Sequence, residues 1–341
     1  MCFLSTLISL TDMHLEKCNL YRNYVRTMHT RKENIKNLAD LPWLPVRAFK
    51  HFDIKSIPDS QVYKVMKSSG TGGVQSKIFL DQETAKLQQT KLIEIFTETF
   101  DASRHPMLVI DSEETVRNRY QFSARTAAIN GFTLFSRNRK FALNKDLSIN
   151  FSAIDDFLEK NEGRKIFIFG FTFMVWQHFI KELQNHSKFY DLSNSFLLHG
   201  GGWKKLEAVK VDNANFKDEI FRTIGCKNVR NYYGMIEQTG SIYTECEHGN
   251  LHAPKGADVI IREVEGFSDA GFGKEGIIQL FSNIQKSYPG HSLLTEDIGY
   301  ILPSNSCECG APGKILKVLG RLSRAEVRGC SDAINHEGST I

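Results

Sequence analysis

Hydrophobic and polar positions follow two periods along the N-terminal part of the chain. Leu7, Leu10 and neighbouring apolar residues recur at helical spacing, which predicts an amphipathic helix laid on a core. Helical spacing returns over residues 83–100, and short apolar runs at residues 105–112 and 166–169 are typical of buried strands. Strands that alternate with helices favour a layered α/β architecture, in which ligands bind at the carboxyl ends of the strands.

The pattern changes after about residue 258. Two further strands, at residues 193–202 and 227–234, precede this point, and both run into glycine-bearing loops. Beyond it, β-branched residues and glycines are enriched, and short apolar runs replace the helical period. This change predicts a mainly β subdomain.

The composition of the 341-residue chain is that of a globular protein, with 41% apolar and 24% charged residues. A formal net charge of +4, without a long lysine/arginine block, argues against a nucleic-acid partner. No apolar run is long enough for a membrane span, and the N-terminus lacks the basic flank and cleavage pattern of a signal peptide. We therefore expect a cytoplasmic enzyme without a membrane span.

The seven cysteines are an odd number and make a poor disulfide framework, so core positions, metal ligation and nucleophilic roles remain. Two glycine-bearing segments, one with a cysteine and two histidines and one with two cysteines, could supply four tetrahedral ligands to a structural Zn²⁺. The predicted set is Cys246, His252, Cys307 and Cys309. His248 is the substitute ligand, and the alternative is two unconnected turns with a free thiol pair.

A loop rich in glycine and hydroxyl side chains, SSGTGGVQSK at residues 68–77, lies between two apolar runs. Glycines let backbone N–H groups point towards one centre, hydroxyls add donors and a lysine adds charge, and this combination suits polyphosphate. The run lacks the closing Gly-Lys-Ser/Thr of a Walker loop. By itself the segment could also be an ordinary hairpin turn, so both interpretations stay open at this point.

Four motifs, in order along the chain, resemble the signatures of adenylate-forming enzymes. SSGTGGVQSK resembles their phosphate-binding loop, and YYGMIEQTG resembles their Tyr-Gly-x-Thr-Glu motif, with Ile236 in place of threonine. LLTEDIG resembles the ribose-binding Thr-x-Asp segment, and LGRLSR resembles the Gly-Arg that follows it. Within this superfamily, LLHGGGWKK, YYGMIEQTGS and AEVRGCSDA are similar to acyl-protein synthetases of the LuxE type. ECEHGNLHAP and CECG resemble the metal-bearing insert of phenylacetate–coenzyme A ligases, but the first branch also matches the C-terminal cysteine.

The resemblance implies an ATP site built from these motifs. The residues that would wrap the β- and γ-phosphates are Ser68, Ser69, Gly70, Thr71, Gly72, Gly73 and Lys77. The residues that would border or stack on the adenine are Gly200, Gly201, Gly202, Trp203, Tyr232, Tyr233 and Gly234. Glu237 would bind the Mg²⁺ that bridges the phosphates, Asp297 would accept hydrogen bonds from the ribose hydroxyls, and Arg321 would lie near the ribose or the α-phosphate.

A cysteine near the C-terminus, Cys330 in RGCSD, matches the acyl-carrying cysteine of the synthetases that this chain resembles. The nearby Arg328 would lower the pKa of its thiol and raise the thiolate fraction. The alternative is a buried or incidental cysteine. Only twenty residues follow Arg321, so the resemblance also implies that the conventional C-terminal domain and its catalytic lysine are largely absent. Adenylation would then have to proceed without that lysine, or Lys77 would have to do more.

The resemblance implies an adenylate-forming α/β fold, in which a large N-terminal domain has layered α/β subdomains and a smaller β-rich subdomain. We predict a nucleotide- and acyl-binding core at residues 1–257, a β-rich subdomain with the zinc site at residues 258–319 and a C-terminal segment with the acceptor cysteine at residues 320–341. The implied function is ATP-dependent activation of a fatty or other carboxylic acid. The acyl group would pass to a cysteine thiol as a thioester and then to an acyl-accepting partner such as an acyl reductase.

Two alternative functions remain open. In an acyl–coenzyme A ligase, free coenzyme A would accept the acyl group. A catalytically inactive scaffold would bind only nucleotide or a partner. A homodimer also stays open.

Overall fold

The computed structural model describes residues 2–28, 32–68, 75–117, 124–203 and 211–322. Its helices are α1 (Phe3–Lys17), α2 (Asn19–Thr27), α3 (Ala48–His51), α4 (Gln82–Thr99), α5 (Glu114–Arg117), α6 (Ala124–Phe132), α7 (Phe151–Lys160), α8 (Lys181–Asn185) and α9 (Asn213–Ile224). A π-helical segment, Met174–Ile180, leads directly into α8. Among these described residues, no helix is both long and apolar enough to cross a membrane.

The strands follow the periodicity of the sequence. They are β1 (Leu44–Pro45), β2 (Lys64–Lys67), β3 (Lys77–Leu80), β4 (His105–Ser112), β5 (Ser136–Leu143), β6 (Ile166–Phe171), β7 (Ser195–Gly200), β8 (Asn228–Tyr233), β9 (Tyr243–Glu245), β10 (Leu251–His252), β11 (Ala257–Arg262), β12 (Gly276–Ser282), β13 (Ser292–Leu302) and β14 (Ile315–Arg321). The predicted strands at 105–112 and 166–169 are therefore confirmed, as is the helix predicted over 83–100.

The chain forms two compact units, each of which has its own core. The described residues of one unit are 2–28, 32–68, 75–95 and 233–322, and those of the other are 96–117, 124–203 and 211–232. The domain boundaries at 257/258 and 319/320 stay predictions.

The unit of residues 96–232 is built on a parallel sheet with the strand order β5-β4-β6-β7-β8. Every residue of β6 is buried, as expected for a strand that is covered on both faces of a parallel sheet. Helix α9 begins after Asp212, whose carboxylate accepts from the Asn215 N–H, and it ends at Gly225 in a left-handed conformation. Because β7 and β8 are parallel neighbours, their carboxyl ends lie at the same edge of the sheet.

The other unit is mainly antiparallel. Its strands run in the order β11-β12-β13-β14-β10-β9, and β1 lies parallel to β13. The β2–β3 pair forms a separate hairpin. Helix α1 buries Leu7 and Leu10, and Leu4, Ile8 and Met13 pack against the same cluster, which confirms the predicted amphipathic helix.

Candidate active site and cysteine–histidine cluster

The glycine-rich loop connects β2 to β3, and its base is closed by two serines. The Ser68 N–H donates to the Ser76 carbonyl at 3.0 Å, and the Ser76 N–H donates to Ser68 Oγ at 2.8 Å. The predicted phosphate-binding residues Ser69, Gly70, Thr71, Gly72 and Gly73 lie outside the described residues. Their role stays a prediction, and the structure shows only the hairpin that carries them.

Lys77 is the first residue of β3, directly after this loop. Its Nζ lies 3.0 Å from Asp53 Oδ1, and both side chains are about half exposed. An exposed pair of this kind adds at most about 1 kcal/mol, so a phosphate could displace the aspartate at small expense. The lysine is therefore available for the predicted role.

Asp297, Arg321 and Tyr233 are predicted site residues that the structure brings together. Asp297 on β13 is the register partner of Arg321 on β14. Arg321 Nε lies 3.4 Å from Asp297 Oδ1, and the Tyr233 hydroxyl donates to Asp297 Oδ2 at 2.7 Å. A carboxylate with a cation on one oxygen and a phenol donor on the other is held in one orientation. It can still accept further hydrogen bonds on both oxygens.

Glu237 lies on a short 3-10 helix after β8 and is only 8% exposed. Burial raises the pKa of its carboxyl, while the Ser76 hydroxyl, Lys50 and Arg321 act in the opposite direction. A buried carboxylate that is short of positive charge gains from a bound cation. Oxygen ligands are also those that Mg²⁺ prefers, so the residue fits the ion predicted for it.

The predicted adenine residues of the parallel-sheet unit cluster where β7 ends. Gly200 is the register partner of Tyr232, and a Cβ built on Gly200 would lie 2.3 Å from the tyrosine Cε1, so only glycine fits there. Gly201 follows at φ +77°, a left-handed conformation that favours glycine. Trp203 is buried, with its ring edge-on to Trp176 at 5.8 Å. Gly202 lies between these residues, and Gly234 follows the last residue of β8.

The predicted zinc ligands come together in the antiparallel unit. Cys246 and His252 lie on the turn and strand of the β9–β10 pair, and Cys307 and Cys309 lie on the β13–β14 connection. One ligand atom from each residue lies within 4.8 Å of all the others. His248, the substitute ligand, is not part of this group. Its side chain is 40% exposed and lies 3.6 Å from Glu247.

The hydrogen bonds around this cluster prepare it for a metal ion. Because the Gly313 carbonyl can only accept, His252 Nδ1 donates to it at 3.0 Å, and this leaves the Nε2 lone pair facing Cys309 Sγ at 3.3 Å. Cys246 Sγ and Cys307 Sγ are 3.6 Å apart. Tetrahedral Zn²⁺ with Zn–S bonds of about 2.3 Å needs sulfurs about 3.8 Å apart. The donor set and its spacing therefore fit zinc.

The thiol of Cys307 is set up to ionise. Burial acts to raise its pKa, but hydrogen bonds from the Cys309 backbone and the Asn250 side chain outweigh burial and lower it to about 6. Asn250 Nδ2 lies 3.1 Å from Cys307 Sγ. Zinc binds the thiolate form of cysteine.

Several supporting residues escaped the sequence reasoning. Ser76 was visible in the loop motif beside Lys77, and Asn250 lies within the first cysteine segment. The Gly313 carbonyl had no signal in the sequence, because any residue supplies a carbonyl. Cys330 lies outside the described residues, and its role as acyl acceptor stays a prediction.

Two curated proteins are similar to this chain over most of its length. The chain is 22% identical over 328 residues to the long-chain-fatty-acid–luciferin-component ligase of Aliivibrio fischeri, which covers 93% of this chain and 84% of that protein. It is 21% identical over 320 residues to the ligase of the same name from Vibrio harveyi, which covers 88% of this chain and 78% of that protein.

Among solved structures, 2-hydroxyisobutyryl-CoA ligase in complex with 2-HIB-AMP and CoA superposes with a TM-score of 0.73 at 13% identity, over 94% of this chain and 69% of that one. ATP-bound MatB from Rhodopseudomonas palustris superposes with a TM-score of 0.51 at 14% identity, over 78% of this chain and 49% of that one. At these identities the likeness concerns the fold alone. It confirms the predicted adenylate-forming α/β fold.

The family match extends over residues 3–338, with the description acyl-protein synthetase, LuxE. This match confirms the predicted enzyme class, an acid–thiol ligase. The chain belongs to the LuxE family of acyl-protein synthetases.

Proposed function

We propose that the protein activates a long-chain fatty acid with ATP, transfers the acyl group to Cys330 as a thioester and delivers it to a partner such as an acyl reductase. The names of the two ligases above support a fatty acid as the substrate. The observation that carries the nucleotide half of the proposal is the Asp297 carboxylate, held between Arg321 and Tyr233. A carboxylate fixed in this way suits the two hydroxyls of a ribose.

The first step makes a poor acyl donor reactive. A carboxylate oxygen of the fatty acid attacks the α-phosphorus of ATP, so that an O–P bond forms and the bond to pyrophosphate breaks. Lys77 would exchange Asp53 for phosphate oxygens, and Arg321 would offset charge near the α-phosphate. Glu237 would hold Mg²⁺, which neutralises phosphate charge when it is bound.

The second step moves the acyl group. The Cys330 thiolate attacks the acyl carbonyl, a C–S bond forms and the C–O bond to AMP breaks. The thiol proton passes to solvent, and AMP leaves with the electron pair of the broken bond.

Labelling with a radioactive long-chain fatty acid and ATP tests both steps together. We expect hydroxylamine-sensitive label on the wild type and none on Cys330→Ser. The matched control is Cys2→Ser, which removes an exposed thiol near the other end of the sequence and should label normally. Normal labelling of Cys330→Ser would contradict the acyl-cysteine step.

Two other outcomes identify the alternative functions. Label that appears on added coenzyme A, and not on the protein, would indicate an acyl–coenzyme A ligase. Absence of acid-dependent ATP–pyrophosphate exchange with every acid tried would indicate a nucleotide-binding scaffold.

The proposal includes a structural Zn²⁺ held by the cluster on the β9–β10 and β13–β14 connections. Its support is the fit of the four donors and of the His252 tautomer. Metal analysis of protein purified without added zinc should find about one equivalent, as expected for one four-ligand site. His252→Gln should lose the metal, whereas His248→Gln should retain it. A wild type without zinc would contradict this part of the proposal.

A further inference from the structure

The Tyr233 hydroxyl has a fixed position at the end of β8. It donates to Asp297 Oδ2 at 2.7 Å. The tyrosine ring meets the Tyr243 ring at a centroid distance of 6.2 Å and an angle of 67°, which holds it from the side. The tyrosine could therefore do more than stack on an adenine, because its hydroxyl is bonded to the Asp297 carboxylate.

The hydroxyl remains a donor throughout the ordinary pH range. Burial, and then the Asp297 charge, raise the pKa of Tyr233 well above its usual value. A phenol that keeps its proton has only one proton to donate, and here the acceptor is the carboxylate. The direction of this hydrogen bond is thus settled.

The Asp297 carboxylate needs such a partner because its terminal torsion is soft. Rotation about the bond to an aspartate carboxyl is broad and roughly two-fold, unlike the staggered torsions of an alkyl chain. Arg321 Nε lies 3.4 Å from the other oxygen, Oδ1, a longer contact. Of the two side-chain contacts to this carboxylate among the described residues, the one from Tyr233 is therefore the shorter.

We propose that Tyr233 is a positioning residue that sets the plane of the Asp297 carboxylate and thereby selects nucleotides with an intact 2′,3′-diol. This inference rests on the proposed function, in which Asp297 accepts from the ribose. Each carboxylate oxygen can accept a second hydrogen bond, so the tyrosine leaves room for both ribose hydroxyls. Two adjacent hydroxyls can donate to both carboxylate oxygens at once only in one orientation of the carboxylate plane. A single hydroxyl can keep its hydrogen bond when the carboxylate rotates.

Acid-dependent ATP–pyrophosphate exchange with ATP, 2′-deoxy-ATP and 3′-deoxy-ATP tests this difference. For Tyr233→Phe we expect the KM for ATP to rise about tenfold with kcat nearly unchanged, the size of one lost hydrogen bond to a charged group. The KM for either deoxynucleotide should change less than about twofold, on the same argument. The preference for ATP should therefore fall by roughly fivefold or more.

Tyr243→Phe is the matched control. It also removes a tyrosine hydroxyl, but that hydroxyl donates to the Asp258 carbonyl at 2.7 Å and not to Asp297. We expect a lower Tm and an unchanged preference among the three nucleotides. In the double variant Tyr233→Phe/Asp297→Asn, the tyrosine change should add little to the effect of Asp297→Asn, because it acts through that carboxylate.

The results separate the inference from the proposed function. A rise in KM by the same factor for all three nucleotides, or full additivity in the double variant, would overturn the inference while leaving the function intact. A wild type that catalyses no exchange with any acid overturns the proposed function itself. A loss of preference in Tyr233→Phe alone supports both.

Discussion

Two buried histidines make the stability of the protein sensitive to acid. His14 on α1 and His291 just before β13 stack with their ring centroids 5.1 Å apart. His14 Nε2 faces the Gln285 carbonyl at 3.0 Å, so this nitrogen carries the proton. Burial lowers the pKa of His14 to about 4, so the ring is neutral near pH 7. In the neutral ring, His14 Nδ1 accepts from the Ser56 hydroxyl, 2.7 Å away.

His291 is neutral for a related reason. The Thr11 hydroxyl donates to the Leu7 carbonyl, so the contact of 2.9 Å between His291 Nε2 and Thr11 Oγ1 is a bond donated by the histidine. Within the described residues, His291 Nδ1 has no hydrogen-bond partner. Protonation would place an unpaired N–H there and two positive rings about 5 Å apart.

The size of the effect follows from the pKa of His14. Burial lowers it from 6.5 to about 4, Gln285 acts in the opposite direction, and Lys17 adds to the lowering. Below about pH 6.5 the unfolded chain takes up a proton that the folded protein refuses until about pH 4, so acid favours unfolding in this window. At about 1.4 kcal/mol per pH unit, His14 alone removes about 3 kcal/mol of the free energy of unfolding by pH 4. Burial and then the charge of His14 lower the pKa of His291 in the same direction.

Urea unfolding between about pH 7 and pH 4.5 measures this loss. We expect His14→Gln to be less stable than the wild type near pH 7, because its hydrogen bonds are changed, but to lose about 1.4 kcal/mol less per pH unit below pH 6.5. The control is His186→Gln, whose side chain is 56% exposed and which should follow the slope of the wild type. Equal slopes for the wild type and His14→Gln would refute the reasoning.

Three further predictions concern the site and its support. Lys77→Ala should lower the rate of adenylation about 10²-fold with the fold intact, because the ammonium group that would contact the phosphates is lost. ATP–pyrophosphate exchange at the wild-type rate would contradict this role of Lys77. Gly200→Ala should destabilise the protein by about 1–3 kcal/mol in urea unfolding, since the new Cβ overlaps a tyrosine ring, whereas Gly320→Ala meets no atom within 4 Å and should be nearly neutral. Asp111→Asn should lower the free energy of unfolding by about 3–5 kcal/mol. In the wild type the buried Arg125 guanidinium donates to both oxygens of the Asp111 carboxylate, and the variant leaves it without this charge partner. Thermal unfolding of that variant within a degree of the wild type would show that the pair is dispensable.

The resemblance of the motifs predicted the family and its fold, and apolar runs predicted buried strands such as β6. β6 illustrates the reason, because a strand covered on both faces has to be apolar at every position. The four cysteine and histidine donors were also predictable as a set. The choice of His252 over His248 depends on the pairing of β9 with β10, which the spacing suggests but does not determine.

Other features depend on partners that are far apart in the sequence. Tyr233 and Asp297 are 64 residues apart, and a motif that predicts an aromatic face says nothing about the direction of its hydroxyl. The stacked pair of His14 and His291 is similar, since neither residue belongs to a motif. The surroundings of Glu237 also come from distant sequence, since the Tyr288 hydroxyl donates to its backbone carbonyl at 2.8 Å.

The cysteine–histidine cluster has a consequence for β13 and β14, the strands that carry the proposed ribose-binding residues. Cys246 and Cys307 are 61 positions apart, so an ion bound between them would close a loop of that length. By the chain-entropy relation for cross-links, closing such a loop raises the free energy of the unfolded chain by about 4 kcal/mol, because it lowers its conformational entropy. The cross-link lies on the connection between β13 and β14, whose pairing sets Asp297 opposite Arg321. A metal ion bound at this cluster would thus help to keep Asp297 and Arg321, two of the proposed nucleotide contacts, in register.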